Sequence, residues 1–349
     1  MILARRGEPL PGSAFAAPCY RIPAMALTGS GRIVVAYDVR ADHLDLPGEF
    51  DIVVRTSDDH GRSWSAPAIL RSHEPGHGFG DASLLYDPVT GTLWCWYVGS
   101  TGASFWDDGG LELWLARSGD EGQTWTHRQL NLPTDRIEAD GPLGAMFASS
   151  GHGVAHSSGR LIQPMVFRPA RTTDRHAVMA YSDDHGETWE LGHPVRDCDE
   201  NKVAELTDGR LLLHGRANPL RKQAFSSDRG ETFTAPRAHP GLPDPSCNGG
   251  LARLRDGSLV CTLLDPPQEP LEAGLDPTRG QGAGLAWGRR ANLVARFSHD
   301  DGQTWSPPTP VWPGEAAYSV ALPLGTGEIG VVYERGSYDE IAVTLLPPR

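Results

Sequence analysis

Five aspartates recur in one fixed pattern along this 349-residue chain. The pattern is Ser-x-Asp-x-Gly-x-Ser/Thr-Trp/Phe. It stands at residues 57–64 (SDDHGRSW), 118–125 (SGDEGQTW), 182–189 (SDDHGETW), 226–233 (SSDRGETF) and 298–305 (SHDDGQTW). Repeated carboxylates could hold calcium or carry acid–base catalysis, but their neighbours argue for a turn. The Asp side chain can accept hydrogen bonds from the N–H groups of a tight turn, and Gly supplies a positive φ. The Ser or Thr hydroxyl can close that turn, and the final aromatic can pack on the element it joins. These aspartates are therefore expected to punctuate the fold rather than to react.

Other reactive residue types show no productive spacing. The five cysteines (Cys19, Cys95, Cys198, Cys247 and Cys261) are scattered and form no C-x-x-C, so neither a zinc site nor a disulfide framework is expected. His60, His77, His152, His156, His185, His193 and His299 show no metal-ligand spacing, and His60, His185 and His299 merely fill variable positions of the repeat. No G-x-S-x-G nucleophile elbow and no G-x-x-x-x-G-K-[ST] phosphate loop occurs. No metal and no cofactor is expected.

The elements that must position any site are short. Runs of four to eight residues rich in Val, Leu, Ile, Tyr and Trp recur between Gly, Pro, Asp and Asn, which is the signature of strands. They lie at Arg32–Tyr37, Asp51–Arg55, Leu93–Val98, Leu111–Arg117, Leu161–Phe167, Arg210–His214, Leu259–Leu263, Asn292–Phe297, Ile329–Tyr333 and Ile341–Leu346. No long stretch keeps a 3.6-residue period, so helix is expected to be scarce. An apolar run precedes each repeat, and the repeats start roughly 45–70 residues apart, the size of one repeating β unit. The chain is therefore expected to be all-β: a six-bladed β-propeller of four-stranded antiparallel blades in a single domain spanning 1–349. Five repeats leave one blade to be completed where the termini meet, with 328–347 supplying two of its strands.

Composition narrows the partners. The formal charge is −13, which argues against general nucleic-acid or membrane-surface binding. A local arginine cluster for a small anion remains compatible with it. No apolar run approaches the roughly 20 residues of a membrane span. Residues 1–6, MILARR, lack the apolar core of a secretory signal. This is expected of a cytoplasmic chain or of one whose signal is trimmed. Oligomeric state leaves no sequence signal.

The repeat is the Asp box, or BNR repeat, which unrelated propellers share. Cys19-Tyr20-Arg21-Ile22-Pro23 is more specific. It resembles the Arg-Ile-Pro motif of the exo-α-sialidase (neuraminidase) family, in its bacterial type. These hydrolases release terminal sialic acids from oligosaccharides, glycoproteins or glycolipids. Sialic acid carries a carboxylate on its anomeric carbon, and a fixed planar cation suited to bidentate contact means arginine rather than lysine. The resemblance assigns that grip to Arg21, Arg216 and Arg290, with Arg289 competing for the third place. It assigns Tyr318 as nucleophile and Glu200 as its base, with Glu205 as the local competitor. Asp45 matches the general acid/base, Asp42 being the alternative, and Arg40 its companion near the sugar's O4. Glu334 matches the glutamate that pairs with Arg21, and Asp81 a segment that lines the pocket. Pro47 and Gly48 suit a loop that moves Asp45 over substrate.

A tyrosine nucleophile is physically reasonable here. A carboxylate approaching about 4 Å from the substrate carboxylate would meet repulsion of ~1 kcal/mol in water and ~4 kcal/mol at an effective dielectric near 20. A phenol starts neutral but is weakly nucleophilic at neutral pH, so it needs an adjacent base. The chain departs from many relatives at Cys247-Asn248-Gly249-Gly250, where they read Cys-Gln-Gly-Ser. This leaves selectivity on the glycerol side open. The alternatives are a hydrolase or transglycosylase for a related 2-keto sugar acid, KDN or Kdo, and a non-catalytic propeller that binds sialic acid.

Overall fold

The computed structural model describes residues 1–265 and 289–348. The fold is all-β, and a single 3-10 turn at Glu138–Asp140 is the one helical element among the described residues. β1 (Ile2–Arg5) opens the chain. β2 (Cys19–Leu27), β3 (Ile33–Arg40), β4 (Phe50–Ser57) and β5 (Ala68–Arg71) form the first antiparallel sheet. β6 (Gly78–Asp87), β7 (Thr92–Ser100), β8 (Leu111–Ser118) and β9 (Thr126–Leu130) form the second.

β10 (Leu143–Ala148) belongs to the third sheet, while β11 (Gly151–His152) turns aside to pair parallel with β6. β12 (Val154–Ala155), β13 (Leu161–Pro169), β14 (His176–Ser182) and β15 (Glu190–Leu191) complete the third sheet. β16 (Asn201–Glu205), β17 (Leu211–Gly215), β18 (Leu220–Ser226) and β19 (Arg237–Pro243) form the fourth. The remaining strands are β20 (Gly250–Arg253), β21 (Leu259–Leu264), β22 (Ala291–Ser298), β23 (Thr309–Pro323), β24 (Ile329–Arg335) and β25 (Glu340–Leu346). Together with β1 they make one seven-stranded sheet, because β23 is 15 residues long. Its first half pairs with β22 and its second half with β24. β1 pairs with β25, so the two ends of the chain share an edge.

Period-2 alternation explains why the middle strands are buried on both faces. In β3, Ile33, Val35, Tyr37 and Val39 pack against Val320, Val332 and Ile341 from the C-terminal strands. Val34 and Ala36 point the other way, onto Leu84, Leu93 and Cys95 of the second sheet. The same arrangement continues from sheet to sheet. Trp94 and Leu115 meet Met165 and Val178, Met179 meets Leu211 and Leu213, and Leu212 meets Leu251 and Cys261. Val260 and Leu293 in turn meet Val331 and Ala342. The core is thus a series of apolar layers between neighbouring sheets, and the last layer returns to the first sheet.

The Asp boxes join β4 to β5, β8 to β9, β14 to β15, β18 to β19 and β22 to β23, and each makes the expected turn. In the first, Asp59 Oδ1 accepts from Ser57 Oγ (2.8 Å) and from the Arg62 (3.0 Å) and Ser63 (2.8 Å) amides, while Ser63 Oγ donates to Oδ2. Gly61 has φ +87°, and the residue before it, His60, also has positive φ (+62°). The sequence pattern had implied that conformation only for the glycine. Hydrogen bonds to the charged form hold the Asp120 carboxyl down at about 2, those from Thr124 contributing most. None of the five Asp-box aspartates lines the main cavity.

Candidate active site

Three site residues sit on β-bulges of innermost strands. Ile22 and Pro23 together oppose Tyr37, Asp81 and Ala82 oppose Tyr97, and Ala317 and Tyr318 oppose Glu334. A bulge leaves its extra residue outside the ladder and re-aims side chains. Ile22 (φ +56°) and Asp81 (φ +59°) take left-handed conformations. For a β-branched residue this is strained, and such strain is held by surrounding contacts. Here the contact is Glu334, which is fully buried. Its Oε1 accepts from the Ile22 amide (2.9 Å) and Arg21 Nε (2.9 Å), and its Oε2 accepts from the Tyr318 amide (3.0 Å). One carboxylate, 313 positions from Arg21, therefore registers Arg21 against Tyr318.

Arg21, Arg216 and Arg290 converge on Tyr318. Their guanidinium carbons lie 5.8, 5.9 and 5.7 Å from its ring centroid. Arg216 follows β17, and its Nη1 donates to the Tyr318 hydroxyl (2.8 Å) and to Glu200. Arg290 donates to the Tyr338 hydroxyl (3.0 Å) and the Ser246 carbonyl (2.8 Å). Arg289 is exposed, so Arg290 is the arginine that faces the site. The Tyr318 hydroxyl donates to Glu200 Oε2 at 2.6 Å. Burial pushes the Tyr318 pKa well above 10, and Glu200 adds to this while Arg216 and Arg290 oppose it. The phenol is neutral at rest. Glu205 points elsewhere and accepts from the Ser157 amide (2.9 Å).

Asp45 comes from the 41–49 loop. Its Oδ1 accepts from Arg40 Nη1 (2.9 Å) and Arg21 Nη1 (3.2 Å). Arg21 also donates to the His43 carbonyl (3.0 Å) and Arg40 to the Leu44 carbonyl (2.8 Å), so both arginines tie this loop down. Desolvation raises the Asp45 pKa, but Arg21 and Arg40 outweigh it and hold it below the usual carboxylate value. Asp42 is exposed and caps the Leu44 amide (2.8 Å). Backbone closeness also matters at Gly78, where a Cβ would meet the Gly48 carbonyl oxygen at 1.8 Å. Glycine is needed there for the loop to pass.

Arg40 is surrounded by three carboxylates. Asp38 Oδ2 accepts at 2.6 Å and Asp81 Oδ1 at 3.3 Å, with Asp45 on the other side. Desolvation and the Asp38 charge push the Asp81 carboxyl up to about 8, against the pull of Arg40. Asp38, buried beside it, rises to about 6 by desolvation, again against Arg40.

Sequence reasoning missed Asp38, Ser246 and Tyr338. A carboxylate inside the buried run Ile33–Arg40 is a readable signal, since such a group needs a partner. Tyr338, which lies 4.2 Å from the Arg21 guanidinium and binds Arg290, sits in a turn with no pattern of its own. Ser246 is likewise a turn residue (φ +60°), and its Oγ accepts from Arg216 Nε at 3.1 Å.

These groups open into a cavity of about 360 Å³. Asp45, Asp81, Glu200, Arg216 and Tyr318 line its polar side, and Val98, Phe105, Trp106, Leu111 and Phe147 its apolar side. Among the described residues no three His, Cys, Asp or Glu side chains converge to hold a metal ion. No helix among them is long and apolar enough to cross a membrane.

Fold and site together define an all-β repeat protein whose pocket gathers arginines and carboxylates around a tyrosine. The chain belongs to the BNR repeat-like domain family, whose pattern matches residues 46–331. It is similar to a sialidase of Micromonospora viridifaciens, with 34% identity over 340 residues, covering 92% of this chain and 50% of that protein. It is also similar to a sialidase of Bacteroides fragilis (strain YCH46), with 28% identity over 343 residues, covering 90% of this chain and 60% of that protein. Among solved structures it resembles the Hadza microbial sialidase Hz136, with a TM-score of 0.80 and 26% identity over 94% of this chain and 65% of that one. The chain thus spans half to about two thirds of the length of these relatives.

Proposed function

We propose that the protein is a retaining exo-α-sialidase acting on terminal α-linked sialic acid of oligosaccharides, glycoproteins or glycolipids. The observation that carries this reading is the Tyr318 hydroxyl. It lies within hydrogen-bond reach of Glu200 (2.6 Å) and Arg216 (2.8 Å), with three guanidinium groups around its ring.

In this reading Arg21, Arg216 and Arg290 hold the substrate carboxylate. Arg40 and Asp81 meet hydroxyls on the ring. The apolar side of the cavity suits the methyl of an N-acetyl group better than a bare hydroxyl, which favours N-acetylneuraminate over KDN or Kdo. Tyr318 gives its proton to Glu200 Oε2 as its oxygen attacks the anomeric carbon. Asp45 gives a proton to the glycosidic oxygen as that bond breaks. Substrate supplies the change that makes Asp45 an acid. Its carboxylate takes Arg21 from Asp45 and adds a negative charge beside it, and both effects raise the Asp45 pKa. Water then attacks the aryl ketoside, giving its proton to Asp45, and Glu200 returns the first proton to the departing tyrosinate. Glu334 holds Arg21 and Tyr318 in register throughout.

The architecture proposed with this function is a six-bladed propeller in one domain spanning 1–349. Two features support it. Apolar layers join each sheet to the next and the last to the first, and β23 serves two sets of partners, as a strand shared by two four-stranded blades would.

The test is release of methylumbelliferone from its α-linked N-acetylneuraminate, with a C5-hydroxy analogue alongside. Tyr318→Phe is expected to lower kcat at least about 100-fold while product affinity stays within a few-fold. Unchanged turnover refutes the nucleophile assignment. Binding without any turnover by the unaltered protein would instead mark a lectin.

A further inference from the structure

Lys202 is buried in β16, two residues after Glu200. The mechanism above gives it no task. Its Nζ donates to Asn248 Oδ1 at 2.7 Å and to the Asn201 carbonyl at 3.4 Å. The Asn248 Nδ2 group in turn donates to Glu200 Oε1 at 3.2 Å, with Ser150 Oγ (3.2 Å) and the Ser150 carbonyl (3.3 Å) sharing it. The other Glu200 oxygen, Oε2, faces Tyr318 and Arg216.

An ammonium group donates and cannot accept. It therefore fixes the Asn248 amide with oxygen toward Lys202 and NH₂ toward Glu200. An NH₂ group on Oε1 disfavours a proton there. We propose that Lys202 is a positioning residue which, acting through Asn248, directs the proton taken from Tyr318 onto Glu200 Oε2, the oxygen from which it can be returned. This rests on the assignment of Tyr318 and Glu200 made above.

The packing is built for a lysine. A Cβ on Gly151 would lie 2.7 Å from Lys202 Cε, so the stem passes directly over a glycine. The charged and titratable groups around the ammonium are Glu200 just before β16, Arg221 on β18 and His152 on β11. Burial pulls the Lys202 pKa down to about 7, with Arg221 adding to the shift and Glu200 opposing it. The cation is thus costly to keep, and a purely structural core position would be better served by an apolar side chain.

The experiment is a double-mutant cycle on methylumbelliferyl α-N-acetylneuraminate with Lys202→Met, Asn248→Ala and both together. Lys202→Met is expected to lower kcat about tenfold or more, with KM changed less than about twofold because the arginine grip is untouched. If Lys202 acts through Asn248, the double variant loses no more than Asn248→Ala alone. A Lys202→Met kcat within twofold of the unaltered protein overturns the proposal, and so do two losses that multiply. Should Lys202→Met fail to fold, Lys202→Gln is read in the same cycle. Glu200→Gln separates the two levels: full turnover there overturns the site assignment and the relay with it. Turnover lost in Glu200→Gln but kept in Lys202→Met overturns the relay alone.

Discussion

Replacing Glu334 by Gln changes almost no volume but removes one of two acceptor oxygens. The carboxylate accepts from Arg21 Nε and the Ile22 amide on one oxygen and from the Tyr318 amide on the other, with no exposure to solvent. A Gln amide must turn its NH₂ toward one of these sets. If it faces Tyr318, a buried N–H loses its partner and meets another donor, at about 1–3 kcal/mol. If it faces Arg21, a buried guanidinium loses its counter-charge, at about 3–5 kcal/mol. The molecule will take the cheaper arrangement, so a loss of about 3 kcal/mol is expected once the vanished attraction for Arg21 is included. With an unfolding entropy of about 2.1 cal/mol/K per residue, this lowers Tm by about 4 °C for a chain of this length. The activity effect should be larger than the stability effect suggests. Arg21 and Tyr318 lose their common reference point, and a displacement near 1 Å at a reacting group costs on the order of 100-fold. Calorimetry and kcat/KM on the fluorogenic substrate measure both. A Glu334→Gln protein with unchanged Tm and unchanged kcat/KM would refute the claim that this carboxylate sets the site's geometry.

Two further outcomes follow from the electrostatics and the turns. The Asp81 carboxyl is raised in the folded state to about 8 from an ordinary 3.8. The folded protein therefore holds a proton that the unfolded chain has released, and this contribution to stability is present at low pH and lost as pH rises through about 8. Asp81→Asn should flatten the fall in Tm between pH 5 and 9; an unchanged slope would mean that Asp81 does not titrate there. Asp120→Ala removes acceptors for Ser118 Oγ, the Gln123 and Thr124 amides and Thr124 Oγ1. It should cost about 1–2 kcal/mol in urea unfolding and leave kcat/KM within twofold; a large loss of turnover in the folded variant would contradict a purely structural Asp box.

The periodic parts of this molecule were open to reading in one dimension. Ten strands and five turns follow from local apolar runs and from the Ser-x-Asp-x-Gly pattern, whose chemistry is complete within eight residues. The innermost strands were harder. β6 begins Gly78-Phe79-Gly80-Asp81, and β20 holds only four residues, so neither carries a strong strand pattern. The candidate site was reached through motif resemblance, and the geometry then separates Glu200 from Glu205, Asp45 from Asp42 and Arg290 from Arg289. What could not be read were partners created only by closure of the chain. Tyr338 meets Arg21 across 317 positions and Asn248 meets Glu200 across 48. No local preference announces either. The left-handed conformation shared by His60, Glu121, His185, Arg229 and Asp301 was hidden for another reason, since four different side chains adopt it at the same place in five hydrogen-bonded turns.

The bulges at Ile22–Pro23, Asp81–Ala82 and Ala317–Tyr318 separate two kinds of selective demand. Residues paired in the ladders answer to their neighbours, and a change there is felt through the whole layer. A bulged position answers mainly to the cavity. Chemistry can therefore drift at these three sites while the frame stays constant, and a library confined to the bulges would sample new specificities on an unaltered scaffold.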